Sequence, residues 1–473
     1  MSKVRVRFAP SPTGNLHLGS ARTALFNYLF VKSVDGVNIL RVEDTDFDRS
    51  AEVYVENILE GLKWLGINYD EGPFYQSQRL EIYKKYADKI LKEGHVYKCY
   101  CTSEELEERR KVALSLGKPP RYDGRCKKLT PEQMKKFEAE GRTATIRFEV
   151  GDRVIKFNDL VRGEVKFDCS LIGDFVIIKS NGTPAYNFAA VIDDALMKIT
   201  HVVRGEDHIS NTPKQILLYE ALGFTPPQFA HISMILGPDR TKLSKRHGAK
   251  SVSEFMEEGY LKEALLNFLM LLSWSPKHDQ EILSLDKAVK LFKLEDLSKS
   301  PSVFDIEKLQ WMNGIYIRHL PVKDLTERCI PFMKQAQYDV NKYAGRQLEE
   351  IVDSVKDNLI VLSDIAKYVD FYFKDEPDYQ DVKDALYKPE SIKVLELFPN
   401  KIERLSEFSH ESINASLAEI AKELGLKKGQ VLKPVRIALT GKTAGPELWR
   451  VIRIYGAEKC KKYIEHALKS RKM

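Results

Sequence analysis

PSPTGNLHLGS, at residues 10–20, is the stretch of this chain that decides its fold. It lies between an apolar alternating run, Val4 to Phe8, and a helical pattern from Ala21 to Val31. The run predicts a strand, and the proline and glycine residues predict a turn that leads into the helix. This turn places His17 and Gly19 at a helix N-terminus, where backbone N–H groups and the helix dipole favour anions. The stretch therefore predicts a strand–turn–helix unit that binds phosphate.

The neighbouring segments repeat this alternation of strand and helix. A short apolar strand, Val37 to Val42, runs into acidic residues, and Val53 to Leu65 has helical periodicity. A strand ending near Arg204 and a helix at 214–222 resume the pattern later in the chain. Alternating β and α elements predict a parallel, doubly wound, Rossmann-like α/β sheet with ligands at the carboxyl ends of its strands.

Two other regions of the chain have sequence patterns that differ from this alternation of strand and helix. Between about 81 and 189, short strands at 145–150, 153–157 and 175–179 and a Glu- and Lys-rich helix at 103–116 indicate an insertion between the two halves of the sheet. After Gly248 the chain is helical in pattern. Apolar residues recur three and four positions apart in Tyr260–Trp274, Ile351–Tyr368, Ser412–Leu424 and Glu458–Leu468.

The composition describes an ordinary globular protein of several domains. The chain has 473 residues, of which 30% are charged, and a formal net charge of +6, so a polyanionic partner is allowed but not required. Six cysteines in a chain of this length do not make a disulfide scaffold, which favours a reducing cytoplasm. The longest apolar stretch, 264–274, is too short to cross a bilayer, so we expect no membrane partner.

A second phosphate signal lies far from the first. KLSKR, at residues 242–246, places two lysines around a serine on a loop bounded by glycine and proline. Such a loop predicts a mobile cationic clamp for a polyphosphate.

In this order the two segments resemble the HIGH and KMSKS signatures of class I aminoacyl-tRNA synthetases. The flanking segments RFAPSPTG at 7–14, RVEDTD at 41–46 and RGED at 204–207 look in particular like those of the bacterial glutamyl-tRNA synthetases. Leu243 and Arg246 depart from the KMSKS consensus but leave the serine and the second lysine in place. The resemblance covers essentially the whole chain.

The resemblance implies a glutamate–tRNA ligase. Such an enzyme activates L-glutamate with Mg²⁺-bound ATP to glutamyl-adenylate and transfers it to the 3′ end of tRNA(Glu). The family is cytoplasmic and mostly monomeric. The implied domains are a catalytic domain in two halves, 1–80 and 190–247, an inserted acceptor-stem-binding domain at 81–189, a stem-contact helical domain at 248–320, and an α-helical anticodon-binding region at 321–473.

Residue by residue, the resemblance assigns three groups of site residues. The expected catalytic residues are His17, Lys242 and Lys245. The expected ATP-binding residues are Pro10, Ser11, His17, Gly19, Ser20, Leu243, Ser244 and Lys245. The expected glutamate-binding residues are Arg7, Ser11, Glu43, Tyr186 and Arg204, with Glu206 and Asp207 in the same wall. Arginine suits the binding of the glutamate carboxylates because a guanidinium group donates two parallel hydrogen bonds to a carboxylate.

The sequence leaves open whether the chain has a zinc site. Cys99, Cys101 and Cys126 give Zn²⁺ three thiolate ligands, whereas a structural site normally has four. Some family members place a histidine two residues after the third cysteine, where this chain has Lys128, and Tyr122 matches a ligand position of the related glutamyl-queuosine enzyme. The alternative is three reduced cysteines without a metal.

The choice of tRNA also stays open. Many members that are strict for tRNA(Glu) have an arginine near residues 368–373, where this chain has Lys367 and Asp370. The resemblance therefore leaves charging of tRNA(Gln) as a hypothesis. It also implies that the aromatic residues at 368–373 stack on bases, and it assigns contacts with the anticodon stem to Lys427, Lys428, Lys433, Arg436 and Lys442.

Three alternatives compete with this interpretation. A glutamyl-queuosine tRNA(Asp) synthetase lacks an anticodon-binding region, whereas this chain continues for well over a hundred helical residues. A glutaminyl enzyme has C-terminal β-barrels, which the helical periodicity contradicts. A non-catalytic nucleotide- or RNA-binding module would have lost His17, Glu43 or Lys245, and all three are present.

Overall fold

The computed structural model describes residues 3–46, 51–117, 120–248, 250–276, 280–343 and 345–472, with the side chains of Lys245 and Lys472 left out. The chain forms two compact units. Unit 1 comprises Met1–Phe255 and Leu265–Ile306, and unit 2 comprises Met256–Ala264 and Glu307–Met473. No helix in these ranges is both long enough and apolar enough to cross a membrane.

The strands of unit 1 are β1 (Arg5–Phe8), β2 (Val37–Val42), β3 (Glu71–Tyr75), β4 (Val96–Cys99), β5 (Thr145–Phe148), β6 (Val154–Asp159), β7 (Gly163–Asp168), β8 (Phe175–Ile178), β9 (His201–Gly205), β10 (Gln228–Ile232), β11 (Ile235–Leu236) and β12 (Ser302–Val303). The helices up to residue 291 are α1 (Leu18–Ser33), α2 (Glu52–Leu65), α3 (Leu80–Lys92), α4 (Ser103–Ser115), α5 (Pro131–Ala139), α6 (Tyr186–Leu196), α7 (Thr212–Leu222), α8 (Val252–Glu257), α9 (Lys262–Leu271) and α10 (Leu285–Leu291).

Parallel strands build the centre of unit 1, as the sequence predicted. Strands β1, β2 and β3 form one parallel sheet, with Arg5 opposite Val37. Strands β9 and β10 are parallel in a second sheet, and the backbone N–H of Thr200, just before β9, donates to the Arg5 carbonyl at 2.9 Å. The two halves of the predicted Rossmann-like fold therefore meet at β1 and β9.

Two of the strands inside the expected insertion belong to the second sheet. Strand β6 is parallel to β10 and antiparallel to β7, giving the order β7-β6-β10-β9. Strands β4, β5 and β8 form a separate antiparallel sheet. Strand β3 has a weak sequence signal because it carries a proline. Gly72 allows it to pack, since a Cβ there would lie 2.3 Å from the Leu40 carbonyl oxygen.

Unit 2 is helical. Its further helices are α11 (Ile306–His319), α12 (Val322–Gln335), α13 (Arg346–Val355), α14 (Ile365–Phe373), α15 (Lys383–Leu386), α16 (Pro389–Glu403), α17 (His410–Leu424), α18 (Lys428–Thr440) and α19 (Leu448–Lys469). A continuous apolar core joins α12, α13, α14 and α16–α19. The described part of residues 307–472 contains no strand, so the predicted helical C-terminal region is confirmed.

One helix prediction was wrong. The pattern from Ile351 to Tyr368 predicted a single helix, but α13 ends at Val355 and α14 begins at Ile365. Between them, the Asp364 carboxylate accepts hydrogen bonds from the backbone N–H groups of Ile360 and Val361, both at 3.1 Å. Such local capture of backbone donors competes with helix continuation, and apolar periodicity does not register it.

Candidate active site

A cavity of about 1110 Å³ opens in unit 1 beside the N-terminus of α1. Nearly all of the predicted substrate-binding residues line it. These are Arg7, Pro10, Ser11, His17, Gly19, Ser20, Glu43, Tyr186, Arg204, Lys242, Leu243 and Ser244. The side chain of Lys245 lies outside the described part of the structure, so its predicted contact stays a prediction. Two segments more than two hundred residues apart thus share one cavity.

His17 caps the first helix. Its Nδ1 accepts a hydrogen bond from the Ser20 backbone N–H at 3.2 Å, and its Nε2 lies 2.9 Å from the Ser20 hydroxyl. No acidic residue stands in the first turn of α1, so the positive end of the helix dipole is not neutralised locally. Desolvation in the cavity and the charge of Lys242 lower the pKa of His17. The imidazole is therefore neutral at pH 7 and can donate a hydrogen bond without carrying charge.

Gly19 sets the position of that ring. A Cβ on Gly19 would lie 3.1 Å from both Cε1 and Nδ1 of His17. We expect Gly19→Ala to push the ring aside and lower kcat/KM for ATP by about tenfold, since small displacements of positioned groups are costly. Gly429→Ala, on α18 and outside the cavity lining, is the control, because a Cβ there meets nothing within 4 Å. Equal ATP kinetics in both variants would contradict this role for Gly19.

The lysine-rich loop is held by its own polar contacts. Lys242 Nζ lies 3.3 Å from an Asp207 carboxylate oxygen across the cavity wall. Ser244 N and Oγ both lie 3.2 Å from Nδ1 of His247, whose Nε2 lies 3.1 Å from Asp239. No motif in the sequence indicated that His247 would hold Ser244 in this way. Its ring would clash with any Cβ on residue 237, which is a glycine.

A buried network of arginines and carboxylates backs the part of the cavity wall that Arg7 and Glu43 form. Arg7 Nε donates to Asp194 at 3.1 Å, and Arg41 Nη1 donates to the same carboxylate oxygen at 2.6 Å. Arg41 Nη2 also donates to Glu43 at 3.0 Å. Asp193 adds a further negative charge, with an oxygen 3.9 Å from Arg41 Nε. Arg41 is fully buried, and Arg7, Glu43 and Asp194 are nearly so.

Arg41 and Asp194 hold each other in their ionised forms. Burial alone would lower the pKa of Arg41, but Asp194 and Glu43 raise it well above its ordinary value. Burial would raise the pKa of Asp194, but Arg41 and Arg7 lower it. Burial raises the pKa of Glu43, an effect that Arg41 and Arg7 partly offset. Glu43 is thus both a partner of Arg41 and a residue of the cavity lining.

Arg204 and Tyr186 stand in the same cavity wall. Arg204 is 5% exposed, and its Nη1 has no hydrogen-bond partner among the described residues. Its Nη2 donates to Thr212 Oγ1 at 2.8 Å. The Tyr186 hydroxyl lies 3.1 Å from His208 Nδ1, and burial raises the pKa of Tyr186. A buried guanidinium nitrogen without a partner in a substrate-sized cavity is suited to an anionic ligand.

Glu206 departs from the expected role in this wall. It is not among the residues that line the cavity. One carboxylate oxygen pairs with Arg162, and the other accepts from the Met234 backbone N–H at 2.7 Å. Glu206 therefore braces strand ends behind the cavity, whereas Asp207 lines it as predicted.

The predicted metal-binding residues lie together in unit 1. One ligand atom each from Cys99, Cys101 and Cys126 lies within 4.8 Å of the others. Tyr122 Oη is 3.3 Å from Cys99 Sγ and 3.6 Å from Cys101 Sγ. Hydrogen bonds within the cluster lower the pKa of Cys99, with that from Cys101 contributing most. The set therefore offers three sulfurs and a phenol oxygen to a metal ion.

In unit 2 the expected base-stacking residues are mostly core. Phe371 and Tyr372 are 3% and 0% exposed, and Phe373 stacks on Tyr338 at 4.9 Å between ring centroids. This correction follows from the orientation of α14, which faces Phe371 and Tyr372 inward. Tyr368 keeps a partly exposed ring beside Lys367.

The expected cations of unit 2 divide into two groups. Lys427, Lys428 and Lys433 are exposed. Arg436 donates to the Pro446 carbonyl at 2.6 Å, and Lys442 pairs with Asp370. The first group therefore lies on the surface of unit 2, and the second helps to hold unit 2 together.

Two family descriptions match the chain. "tRNA synthetases class I (E and Q), catalytic domain" matches residues 3–311, and "Anticodon binding domain" matches residues 324–468. The first match contains every residue of the cavity.

Curated relatives and solved structures agree with these matches. The chain is 48% identical to the glutamate–tRNA ligase of Carboxydothermus hydrogenoformans, over 98% of this chain and 99% of the relative. It is also 48% identical to that of Aquifex aeolicus, over 99% of each. A crystal structure of a glutamate tRNA ligase from Elizabethkingia meningosepticum, in complex with its amino acid, is 34% identical, with a TM-score of 0.90 over 99% of this chain and 100% of that one. This chain belongs to the class I tRNA synthetases of the E and Q type.

Proposed function

We propose that this enzyme joins L-glutamate to the 3′ end of tRNA in two steps, through glutamyl-adenylate. The observation that carries the proposal is the single cavity that joins an anion-binding helix N-terminus to two buried arginines, Arg7 and Arg204. The names of the relatives over the full chain support the choice of glutamate.

The cavity offers a separate place for each part of the substrates. The backbone N–H groups at the start of α1, with His17, face the phosphates of Mg²⁺-bound ATP. Arg204, with its unpartnered Nη1, and Arg7 take the carboxylates of glutamate, and Glu43 takes the α-ammonium group. Tyr186 closes this wall.

The chemistry then needs positioned charge and no covalent enzyme intermediate. The α-carboxylate of glutamate attacks the α-phosphate of ATP, a new P–O bond forms, and the bond to pyrophosphate breaks. His17 donates to phosphate oxygens as the charge shifts, and Lys242 and Lys245 stabilise the departing pyrophosphate. The 3′-terminal hydroxyl of tRNA then displaces AMP from the adenylate.

Charging of purified tRNA with labelled glutamate tests the proposal. We expect product with tRNA(Glu) and none with tRNA(Asp). Product with tRNA(Asp) alone would instead support a glutamyl-queuosine type of activity. Failure with every acceptor, at a protein concentration that binds ATP, would contradict the ligase function.

We also propose that tRNA(Gln) is an acceptor. The segment that would carry a discriminating arginine has Lys367 and Asp370 instead, and Asp370 is neutralised by Lys442 and Lys374. Charging of tRNA(Gln) with glutamate at a rate within about tenfold of tRNA(Glu) is the expected result, because one base contact contributes about 1–3 kcal/mol. No detectable glutamyl-tRNA(Gln) would refute it.

The domain roles follow from the same function. We infer that residues 1–80 and 190–247 carry the catalysis, 81–189 the contact with the acceptor stem, 248–320 a stem contact, and 321–473 the anticodon contact. The match of residues 324–468 to an anticodon-binding domain supports the last of these. We also infer that the enzyme acts as a monomer in the cytoplasm, where tRNA and ATP are available.

We propose that the cysteine cluster binds Zn²⁺ as a structural ion. Zn²⁺ takes four ligands from thiolates and other donors, and Cys99, Cys101, Cys126 and Tyr122 present four such atoms close together. The bound ion would tie β4 to the loop that carries Tyr122 and Cys126. It would take no part in the chemistry of the cavity.

Metal analysis of the purified protein tests the zinc proposal. We expect about one zinc per chain, and we expect Cys101→Ser to lose most of it, because a serine hydroxyl stays un-ionised at neutral pH and is a poor replacement for a thiolate. Cys169→Ala, outside the cluster, is the control and should keep the zinc. A chain without zinc after expression in zinc-supplemented medium would contradict the site.

A further inference from the structure

A fully buried row of side chains lies behind Arg204, on strands β6, β10 and β9. Asp159 Oδ2 lies 2.6 Å from His231 Nδ1, and His231 Nε2 lies 3.1 Å from Arg204 Nε. Asp159 is 1% exposed and His231 is 0% exposed. These contacts span 72 and 27 residues of sequence, so only the packing of the three strands brings them together.

The protons in this row have one consistent arrangement. The other carboxylate oxygen of Asp159 accepts from the backbone N–H groups of Val161 and Arg162, at 3.0 and 2.8 Å. Burial alone would raise the pKa of Asp159, but hydrogen bonds from His231 and from the Arg162 backbone lower it. An ionised carboxylate can only accept, so His231 Nδ1 carries the proton and Nε2 is the acceptor for the Arg204 N–H.

The consequence is a guanidinium held at two of its three nitrogens. Arg204 Nε is fixed by His231, and Nη2 is fixed by Thr212. Nη1 has no partner among the described residues, and Arg204 lines the cavity. The plane of the guanidinium is thus set before any substrate binds.

We propose that Asp159 and His231 are positioning residues for the amino-acid substrate: they fix the orientation of Arg204 so that its remaining nitrogen meets a substrate carboxylate. This inference rests on the proposed function of Arg204 in binding glutamate. It also gives a reason for selecting glutamate over glutamine, because a guanidinium held in one orientation binds a planar carboxylate more tightly than a neutral amide.

The surroundings of His231 keep it neutral. The pKa of His231 is lowered, mainly by burial. The hydrogen bond to Asp159 opposes this shift, whereas the charges of Arg204 and Arg162 add to it. His208, which shares this environment, also has a lowered pKa, of about 4. A neutral ring is the form that can accept from Arg204, so the arrangement holds at pH 7.

Asp159→Asn tests the arrangement of protons. The asparagine oxygen can still accept from the backbone of Val161 and Arg162, but its amide would present N–H groups to His231 Nδ1. The ring would then carry its proton on Nε2, where it opposes the N–H of Arg204. We expect KM for glutamate to rise by about tenfold or more while KM for ATP and tRNA stays within about twofold, because a buried donor left unmatched is costly.

Two substitutions of His231 test the same positioning role if the Asp159→Asn protein fails to fold. His231→Gln offers an oxygen acceptor to Arg204 Nε, and His231→Leu offers none. We expect the glutamine variant to restore much of the glutamate affinity that the leucine variant loses. His201→Gln, at the opposite end of β9 and outside the cavity lining, is the matched control and should keep the wild-type KM.

Arg204→Lys separates this inference from the function on which it rests. If Arg204→Lys leaves KM for glutamate unchanged, the proposed glutamate contact is wrong. If Arg204→Lys raises it while Asp159→Asn and His231→Leu do not, Arg204 binds glutamate without help and the positioning role is refuted. A rise in all three, with recovery in His231→Gln, supports the row as described.

Discussion

We expect Arg204→Lys to lower kcat/KM for glutamate by about 10²- to 10³-fold. Lysine keeps the positive charge but cannot donate to His231, Thr212 and a substrate carboxylate from one rigid plane. Truncating one partner of a buried, hydrogen-bonded charge pair costs about 2–5 kcal/mol, a factor of about 30 to 5,000, and the expected loss lies within this range. Steady-state aminoacylation with varied glutamate measures the effect.

The controls for this prediction lie in the other substrates. KM for ATP should stay close to the wild-type value, because the side-chain hydrogen bonds of Arg204 go to His231 and Thr212, whereas the phosphate-binding helix N-terminus begins at His17. Lys214→Arg, on α7, is the matched exchange of cations outside the cavity lining. An Arg204→Lys enzyme with normal glutamate kinetics would remove Arg204 from the binding site.

Asp194→Asn has the largest expected effect on stability. The substitution removes the carboxylate that Arg7 and Arg41 share and leaves two buried guanidinium groups with less negative charge between them. Breaking a buried ion pair by neutralising one partner costs about 3–5 kcal/mol of unfolding free energy. Thermal and denaturant unfolding, followed by a signal from unit 1, measure the loss.

An exposed aspartate provides the comparison for Asp194. Asp35 pairs with Lys3 at 3.8 Å, but its side chain is fully exposed. Asp35→Asn should change stability by less than about 1 kcal/mol, as exposed ion pairs usually do. Equal destabilisation by the two substitutions would show that the buried network contributes no more than a surface pair.

Local signals were enough to predict much of the fold. The apolar run, turn and helix around residues 10–20 became β1 and α1, with His17 at the N-cap as expected. The three cysteines, and Tyr122 which the family resemblance pointed to, lie within 28 residues of sequence and form one cluster. In each case the residues that meet are close in sequence or lie on one regular element.

The supporting network could not be predicted, because its partners are far apart. Asp194 meets Arg7 across 187 residues, and His231 meets Asp159 across 72. Faint signals existed: two adjacent aspartates in the otherwise apolar α6, and a histidine inside the apolar strand β10. A buried charge in an apolar element implies a partner but does not name it.

The same limit explains the errors in unit 2. Apolar periodicity in Ile351–Tyr368 did not reveal that Asp364 interrupts the helix. Aromatic residues at 371 and 372 have the same sequence pattern whether they stack on a nucleobase or fill a core. Their burial is a property of the assembled helices and not of the segment.

The preference for glutamate over glutamine shows whether buried guanidinium groups select the substrate by its carboxylate. With tRNA(Glu) and ATP saturating, the wild-type enzyme should use glutamate with a kcat/KM at least about 10⁴-fold above that for glutamine, since a buried site built for one polar group rejects an analogue that leaves it unpaired. In Arg204→Lys this ratio should fall sharply. Comparable use of both amino acids by the wild-type enzyme would contradict the claim that buried guanidinium groups select the carboxylate.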